Sequence, residues 1–341
     1  MPNITIKDIA EITGVSYATV SRTLNGRSGV NAHTREKVLQ AAKELGYRPN
    51  IHARSLKTNQ TNTIALIVPD ISNPFFADIA LSVNEAAYKR GYNTFLCSTN
   101  WDPEIEEEQL QMVQDQRVDG IIFKPADRSP DRYLELNIPA VMIANLIAEG
   151  LSYIEIDNIS GGRQAAEHLI ACQYKKLAFI GGAFASRSNS DRLRGFRQAL
   201  QARGLDLSEQ MIKFGPFSIE HGYKQIQTLM EMDEPPDAAF CGNDLIALGV
   251  FQYLGETGIQ VPDAFGVVGF DDVYFAALPQ IQMTTVSQPR MQMGSLAADT
   301  LINRIEAGPE SPIEHILLEP KLVIRKSTRM LQHRIAFQEA A

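Results

Sequence analysis

IKDIAEITGVSYATVSRTLNG, residues 6–26, reads as two short helices joined by a tight turn. Apolar residues recur at Ile6, Ile9 and Ala10, and Thr5 and Asp8 have the spacing of a capping box that opens the first helix. Gly14 supplies a left-handed turn residue, and Val15 pins the turn to a small core. Ser16 is placed to cap a second helix that buries Val20 and Leu24 and turns Tyr17, Ala18 and Arg22 outward. Residues 34–45 then set Val38, Ala41, Ala42 and Leu45 on one helical face, completing a three-helix core. The outward face of the second helix carries Ser, Thr, Arg and Asn. Those side chains suit phosphates and base edges, and a generic helical hairpin has no need of them.

Charge is divided to match. The 341-residue chain has a formal net charge of −8. Residues 1–62 hold nine basic and four acidic side chains, a net of +5, which leaves −13 for the rest. A basic head on an acidic body is expected where only the head meets nucleic acid. No apolar stretch has signal-peptide or membrane-spanning length, so the expectation is a cytoplasmic protein with no membrane partner. Cys97, Cys172 and Cys241 are scattered, and the first and last fall in apolar runs, which reads as buried reduced thiols.

From Thr63 onward, apolar strand-like runs alternate with amphipathic helical stretches. One series is TIALIVP (63–69), NTFLCST (93–99), GIIFKP (120–125), AVMIAN (140–145) and YIEIDN (153–158). A second is KLAFIGG (176–182), AAFCGN (238–243), FGVVGFDD (265–272) and MTTVSQP (283–289). Two such series predict an α/β body of two lobes, each a doubly wound parallel sheet, with a cleft between them. Ligands in this architecture bind beyond the carboxyl ends of the strands. Polar and aromatic residues recur there: DISNPFF (70–76), Asn100-Trp101, Lys124, Asn145, Asp157-Asn158, Asn243-Asp244, Asp271-Asp272 and Gln288. No Gly-rich phosphate loop, HExxH or GxSxG motif occurs, and the six histidines lack metal-ligand spacing. The expectation is therefore binding rather than catalysis, with no cofactor and no metal.

The stretch from Asp8 to Gly26 closely resembles the helix-turn-helix signature of the LacI/GalR family of bacterial transcriptional regulators. Residues 63–328 resemble the effector domain of that family and the periplasmic sugar-binding proteins. The resemblance implies a ligand-responsive transcriptional regulator, a repressor in its commonest form, that binds a palindromic operator as a homodimer. On the head, Tyr17, Ala18 and Arg22 are the candidates for base readout, and Ser16, Thr19, Ser21, Asn25 and Thr34 for phosphate contacts. Between head and body, Pro49 ends the third helix, and Asn50 precedes a short helical run, IHARSLK, at 51–57. Alone it falls short of the roughly 12–15 residues a marginal helix needs. Composition fits a plain linker as well. The resemblance implies a hinge helix that folds in the minor groove, with Leu56 as the wedge and Ala53 and Lys57 beside it. The implied organisation is a head at 1–48, a hinge and linker at 49–62, an effector and dimerisation body at 63–330, and a tail at 331–341. That tail is too short for several leucine heptads, so a dimer rather than a tetramer is expected.

In the body, Asn73, Phe75 and Phe76 of NPFF match the sugar-pocket positions of the family, as do Arg192, Phe217, Asn243, Asp271 and Gln288. The two phenylalanines also fit an ordinary core role. Two positions depart from the sugar-binding pattern. Ala144-Asn145 stands where Asp-Arg is common, and Lys124 stands where ribose-type pockets carry a neutral amide. With Lys124 and Arg192 both facing the cleft, the pocket favours an anionic carbohydrate, a sugar acid or sugar phosphate. A Lys124 that caps a strand end or pairs with Asp127 gives a neutral sugar instead.

Overall fold

The computed structural model describes residues 4–24, 28–47, 60–126, 133, 136–143, 150–183, 186–308 and 310–330. It divides into two compact units, Met1–Thr61 and Asn62–Ala341.

Among its described residues the first unit holds three helices, α1 (Ile6–Thr13), α2 (Tyr17–Leu24) and α3 (Ala32–Glu44). The capping box is present: the Asp8 amide donates to Thr5 Oγ1 at 3.4 Å, and the Thr5 amide donates to Asp8 Oδ2 at 2.7 Å. Gly14 ends α1 at φ 63°, a conformation only glycine adopts freely. Ile9, Val20 and Val38 are fully buried, with Ala41 and Ala42 beside them and Val15 and Leu45 packed against them. Two details differ from the sequence reading. The third helix starts at Ala32 rather than Thr34, because Asn31 caps it by accepting the Thr34 amide at 2.7 Å. Leu24 is only half-buried, and Thr23 takes the inner position, its hydroxyl satisfied by the Thr19 carbonyl at 2.9 Å.

The second unit contains two six-stranded sheets. The first is built from β1 (Thr63–Val68), β2 (Asn93–Ser98), β3 (Gly120–Phe123), β4 (Ala140–Ile143), β5 (Ser152–Ile156) and β11 (His315–Leu318), in the order β11-β5-β4-β3-β1-β2. All its pairings are parallel. The helices α4 (Pro74–Lys89) and α5 (Pro103–Asp115) connect its strands. The second sheet holds β6 (Leu177–Ile180), β7 (Ile212–Lys213), β8 (Ala238–Cys241), β9 (Gly266–Asp271), β10 (Thr284–Ser287) and β12 (Lys321–Val323), in the order β12-β10-β9-β8-β6-β7. Only β12 runs antiparallel to its neighbour. Its helices are α6 (Asn158–Ala171), α7 (Arg187–Gln201), α8 (Ile219–Met230) and α9 (Asp244–Glu256). The chain crosses between lobes after β5, after β10 and between β11 and β12. The last crossing follows α10 (Arg290–Ala307), which packs on β3, β4, β5 and α4 of the first lobe.

Strands β7, β11 and β12 were not foreseen. They are two to four residues long and lie at sheet edges, where half-exposed positions blur the apolar run. The β2 segment corrects the expectation of a continuous buried strand. As an edge strand it buries Cys97 but leaves Phe95 and Leu96 44% and 46% exposed.

Glycine brings α6 and α7 into contact. A methyl group on Gly195 would lie 2.0 Å from the Ile159 carbonyl oxygen, and one on Gly162 would lie 2.0 Å from that of Arg192. Gly195→Ala therefore forces the two helices apart and is expected to cost about 1–3 kcal/mol. Gly255 in α9 faces open space. Gly255→Ala is expected to stabilise by about 0.5–1 kcal/mol. Urea midpoints of the two variants check both signs.

Candidate functional site

The facing carboxyl ends of the two sheets enclose a cavity of about 570 Å³, counting its open mouth. Of the residues expected there, Asn73, Phe75, Phe76, Lys124, Arg192, Phe217, Asn243, Asp271 and Gln288 all line it. Asn145 lies outside the described residues, as does Asp127.

Helix starts position much of the wall. Asn73 caps α4 by accepting the Phe75 amide at 3.0 Å, and the following turn carries Phe75 and Phe76 inward. Asn243 caps α9 through the Ile246 amide at 2.9 Å. Ser186, the cap of α7, and Ser188 also line the cavity, as do Glu155, Asn158 and Met293. The phenylalanines serve both readings: they are 8% and 4% exposed, belong to the main core and form wall. Across the cavity, Trp101 of the first lobe stacks on Phe217 of the second, with centroids 5.6 Å apart and planes at 27°. Phe76 meets Trp101 edge-on at 6.0 Å.

Arg192 is the most heavily held residue. Its Nε donates to Asn158 Oδ1 at 2.8 Å and its Nη1 to the Gly242 carbonyl at 2.5 Å. The guanidinium also lies 3.6 Å over the Phe270 ring. Burial pulls its pKa down to about 10 against the attraction of Asp271. Lys124, at the end of β3, is drawn down to about 8 by burial and then by repulsion from Arg192, with Glu106 opposing. Glu106 is buried and accepts from Tyr133 Oη at 2.5 Å and the Ala126 amide at 2.6 Å. Asp271 is pushed up to about 6 by burial, against Arg192 and the Gln288 amide, which donates to Oδ1 at 2.6 Å. Its backbone sits at φ 117°, strained for a non-glycine residue. Glu155 is raised by burial as well.

Several other acids at strand ends serve the scaffold instead. Asp157 caps α6 through the Ser160 amide, Asp70 accepts from Ser72, and Asp272 pairs with Arg325 at 2.6 Å. Asp244 is buried beneath the wall, accepting from Thr285 Oγ1 at 2.6 Å and the Val273 amide at 2.9 Å. Burial and then the charge of Asp271 raise its pKa. Glu155 was missed because it lies inside an apolar strand, although a carboxylate in YIEI is itself a signal. Ser186 and Ser188 lie in the SRSNS segment, whose helix-start character marks them. Met293 carries no polar signal.

On the head, Tyr17 is 55% exposed, and Ala18 and Arg22 are exposed on the same helix. Ser16 Oγ accepts the Thr19 amide at 3.2 Å and bonds Thr19 Oγ1 at 2.9 Å, so it caps α2. Thr19, Ser21 and Thr34 are half-buried. Asn25, Ala53, Leu56 and Lys57 lie outside the described residues. Among the described residues no cluster of His, Cys, Asp or Glu would hold a metal, and no helix is long and apolar enough to cross a membrane. The three cysteines are free and buried.

Residues 5–50 match the model of the bacterial regulatory proteins of the lacI family, and residues 166–328 match a periplasmic binding protein-like domain. The HTH-type transcriptional regulator DegA of Bacillus subtilis (strain 168) is 36% identical over 336 residues, 96% of this chain and 98% of DegA. The crystal structure of the Lac repressor dimer bound to operator and the anti-inducer ONPF is 28% identical, with a TM-score of 0.85 over 96% of this chain and 99% of that one. A complex of the transcriptional regulator CelR with cellobiose is 33% identical, with a TM-score of 0.72 over 95% and 99% of the two chains. With a helix-turn-helix head and a two-lobed parallel-sheet body whose strands end on a cavity, this chain belongs to the LacI family of bacterial regulatory proteins and is a DNA-binding transcriptional regulator.

Proposed function

We propose that this regulator is a repressor that binds a palindromic operator as a homodimer and changes its operator affinity when an anionic carbohydrate, a sugar acid or sugar phosphate, fills the cavity. The observation that carries the effector class is the pair Lys124, from the first lobe, and Arg192, from the second, which both line the cavity, close enough that Arg192 depresses the Lys124 pKa. An anion between them relieves that repulsion. Trp101, Phe217 and Phe76 supply stacking faces for the ring, while Asp271, Asn243 and Gln288 accept and donate to hydroxyls. A neutral sugar is the second reading, favoured by the acids Asp271 and Glu155, which line the same cavity, and by the cellobiose in the CelR complex.

A second copy has a surface to meet. Leu81 and Tyr88 on α4 are 51% and 77% exposed, and the β2 edge, which α4 contacts, exposes Phe95 and Leu96. The Lac repressor neighbour is a dimer on operator DNA, which supports the same assembly here. In such a dimer the body sets the spacing of the 49–62 segments, and Leu56, Ala53 and Lys57 enter the minor groove when those segments pair. Tyr17, Ala18 and Arg22 read bases, and Ser16, Thr19, Ser21, Asn25 and Thr34 hold phosphates. Moving the operator from nearly full to nearly empty asks the ligand to prefer one state by roughly 5 kcal/mol.

Proton linkage separates the two effector readings. An anion beside Lys124 raises its pKa from about 8, so binding takes up protons and weakens as pH rises through that value. Hydroxyl donors to Asp271 need its carboxylate ionised, so binding also weakens as pH falls through about 6. Trp101 fluorescence, followed with D-glucose, D-gluconate, D-glucuronate and glucose 6-phosphate across that pH range, is expected to show saturable binding with an anionic member only. Lys124→Ala is expected to abolish the high-pH limb. Saturation by the neutral sugar alone would overturn the anionic reading.

A further inference from the structure

We infer that Arg290 is a latch between the two lobes, a positioning residue that ties the backbone of Asp271 in the second lobe to α4 in the first. This goes beyond the effector reading and does not depend on which ligand fills the cavity. Arg290 opens α10, an 18-residue helix of the first lobe. A cation at a helix N-terminus is opposed by the helix dipole, so that placement needs local compensation. The compensation comes from two directions. Arg290 Nε donates to Asp78 Oδ2 on α4 at 2.8 Å, and Nη1 donates to the backbone carbonyl of Asp271 at the end of β9. The planar fork of a guanidinium holds two acceptors in fixed directions, which an ammonium does not.

Each end of the latch is rigid. On the first lobe, α4 and α10 are pressed together: Ser82 Oγ donates to the Met291 carbonyl, and a methyl on Gly294 would meet the Ile79 carbonyl at 2.7 Å. On the second, Asp271 holds the strained φ of 117° while its carboxylate faces the cavity. A change at Asp271 therefore reaches Asp78 through one side chain, and α4 is the helix whose outer side exposes Leu81 and Tyr88. Arg90 provides the contrast. It also joins α4 to α10, through Asn303 at 3.1 Å and Glu306 at 2.7 Å, but lies wholly within the first lobe.

The test uses the Trp101–Phe217 stack, which spans the lobes, as its reporter, with no effector present. Acrylamide quenching of Trp101 is measured on the full chain. Arg290→Met is expected to raise the quenching constant about twofold, as the lobes part more often. Arg90→Met is expected to leave it at the wild-type value. Asp78→Asn, at a half-exposed site, is expected to move it in the same direction and carries the test if Arg290→Met fails to fold. Quenching at the wild-type level in both Arg290→Met and Asp78→Asn would overturn the latch. So would an equal rise in Arg90→Met.

Discussion

Arg192→Leu is expected to abolish effector binding and to destabilise the body by about 3–5 kcal/mol, the usual cost of removing one member of a buried charged pair. Three groups lose their partner at once. Asn158 Oδ1 and the Gly242 carbonyl are left facing an isobutyl group, and Asp271 loses the cation that holds its pKa near 6. Asp271 then protonates at neutral pH and stops accepting ligand hydroxyls. Arg192→Lys keeps the charge but has no fork to reach both Asn158 and Gly242, so it is expected to recover stability only in part. Urea denaturation followed at Trp101 reads the stability change. Calorimetry with whichever sugar saturates the wild-type chain reads the binding. Wild-type affinity in Arg192→Leu would remove Arg192 from the site.

The second large effect belongs to the head. Arg22→Ala is expected to weaken specific DNA binding by about 1–3 kcal/mol per head, hence about 2–6 kcal/mol for a dimer, or roughly 30-fold to 10⁴-fold. Arg22 is exposed in the last turn of α2, and the buried Ile9, Val20 and Val38 do not depend on it. The fold of the head is expected to survive the change. Binding to random duplex at the same salt should fall much less, because that affinity rests on phosphates. Equal losses on specific and random duplex would make Arg22 a phosphate contact rather than a base reader. Leu56→Ala is expected to show the same discrimination through the minor groove.

The two folds were legible in the sequence for physical reasons. The Thr5–Asp8 box, Gly14 and the apolar period of α3 are local signals, and each appears in the structure where the sequence put it. Strands β1 and β9 are buried on both faces and read as nearly unbroken apolar runs. What was illegible depends on distant partners. Strand β11 exists because it lies beside β5, more than 150 residues earlier, and β12 because it closes on β10. The same limit governs the site. Asp271 and Asp244 look alike in sequence, yet one faces the cavity and the other is capped beneath it by Thr285 and Val273. Glu155 faces the cavity although it lies within a strand, and Trp101 reaches Phe217 only because two lobes meet. A strand-end position is enough to nominate a residue. Only the partners that the fold brings to it decide its role.

Effector-coupled repression is tested most directly on one duplex. DNA selected by the full chain from a random library is labelled, and its affinity is followed by anisotropy while aldonates, uronates, sugar phosphates and their neutral counterparts are added. Such repression requires that the selected duplex is an inverted repeat. It also requires that an anionic member shifts its affinity at least about tenfold, a coupling of roughly 1.4 kcal/mol, and that Lys124→Ala loses the shift. An unsymmetrical site, or a shift produced only by neutral sugars and retained in Lys124→Ala, would contradict it.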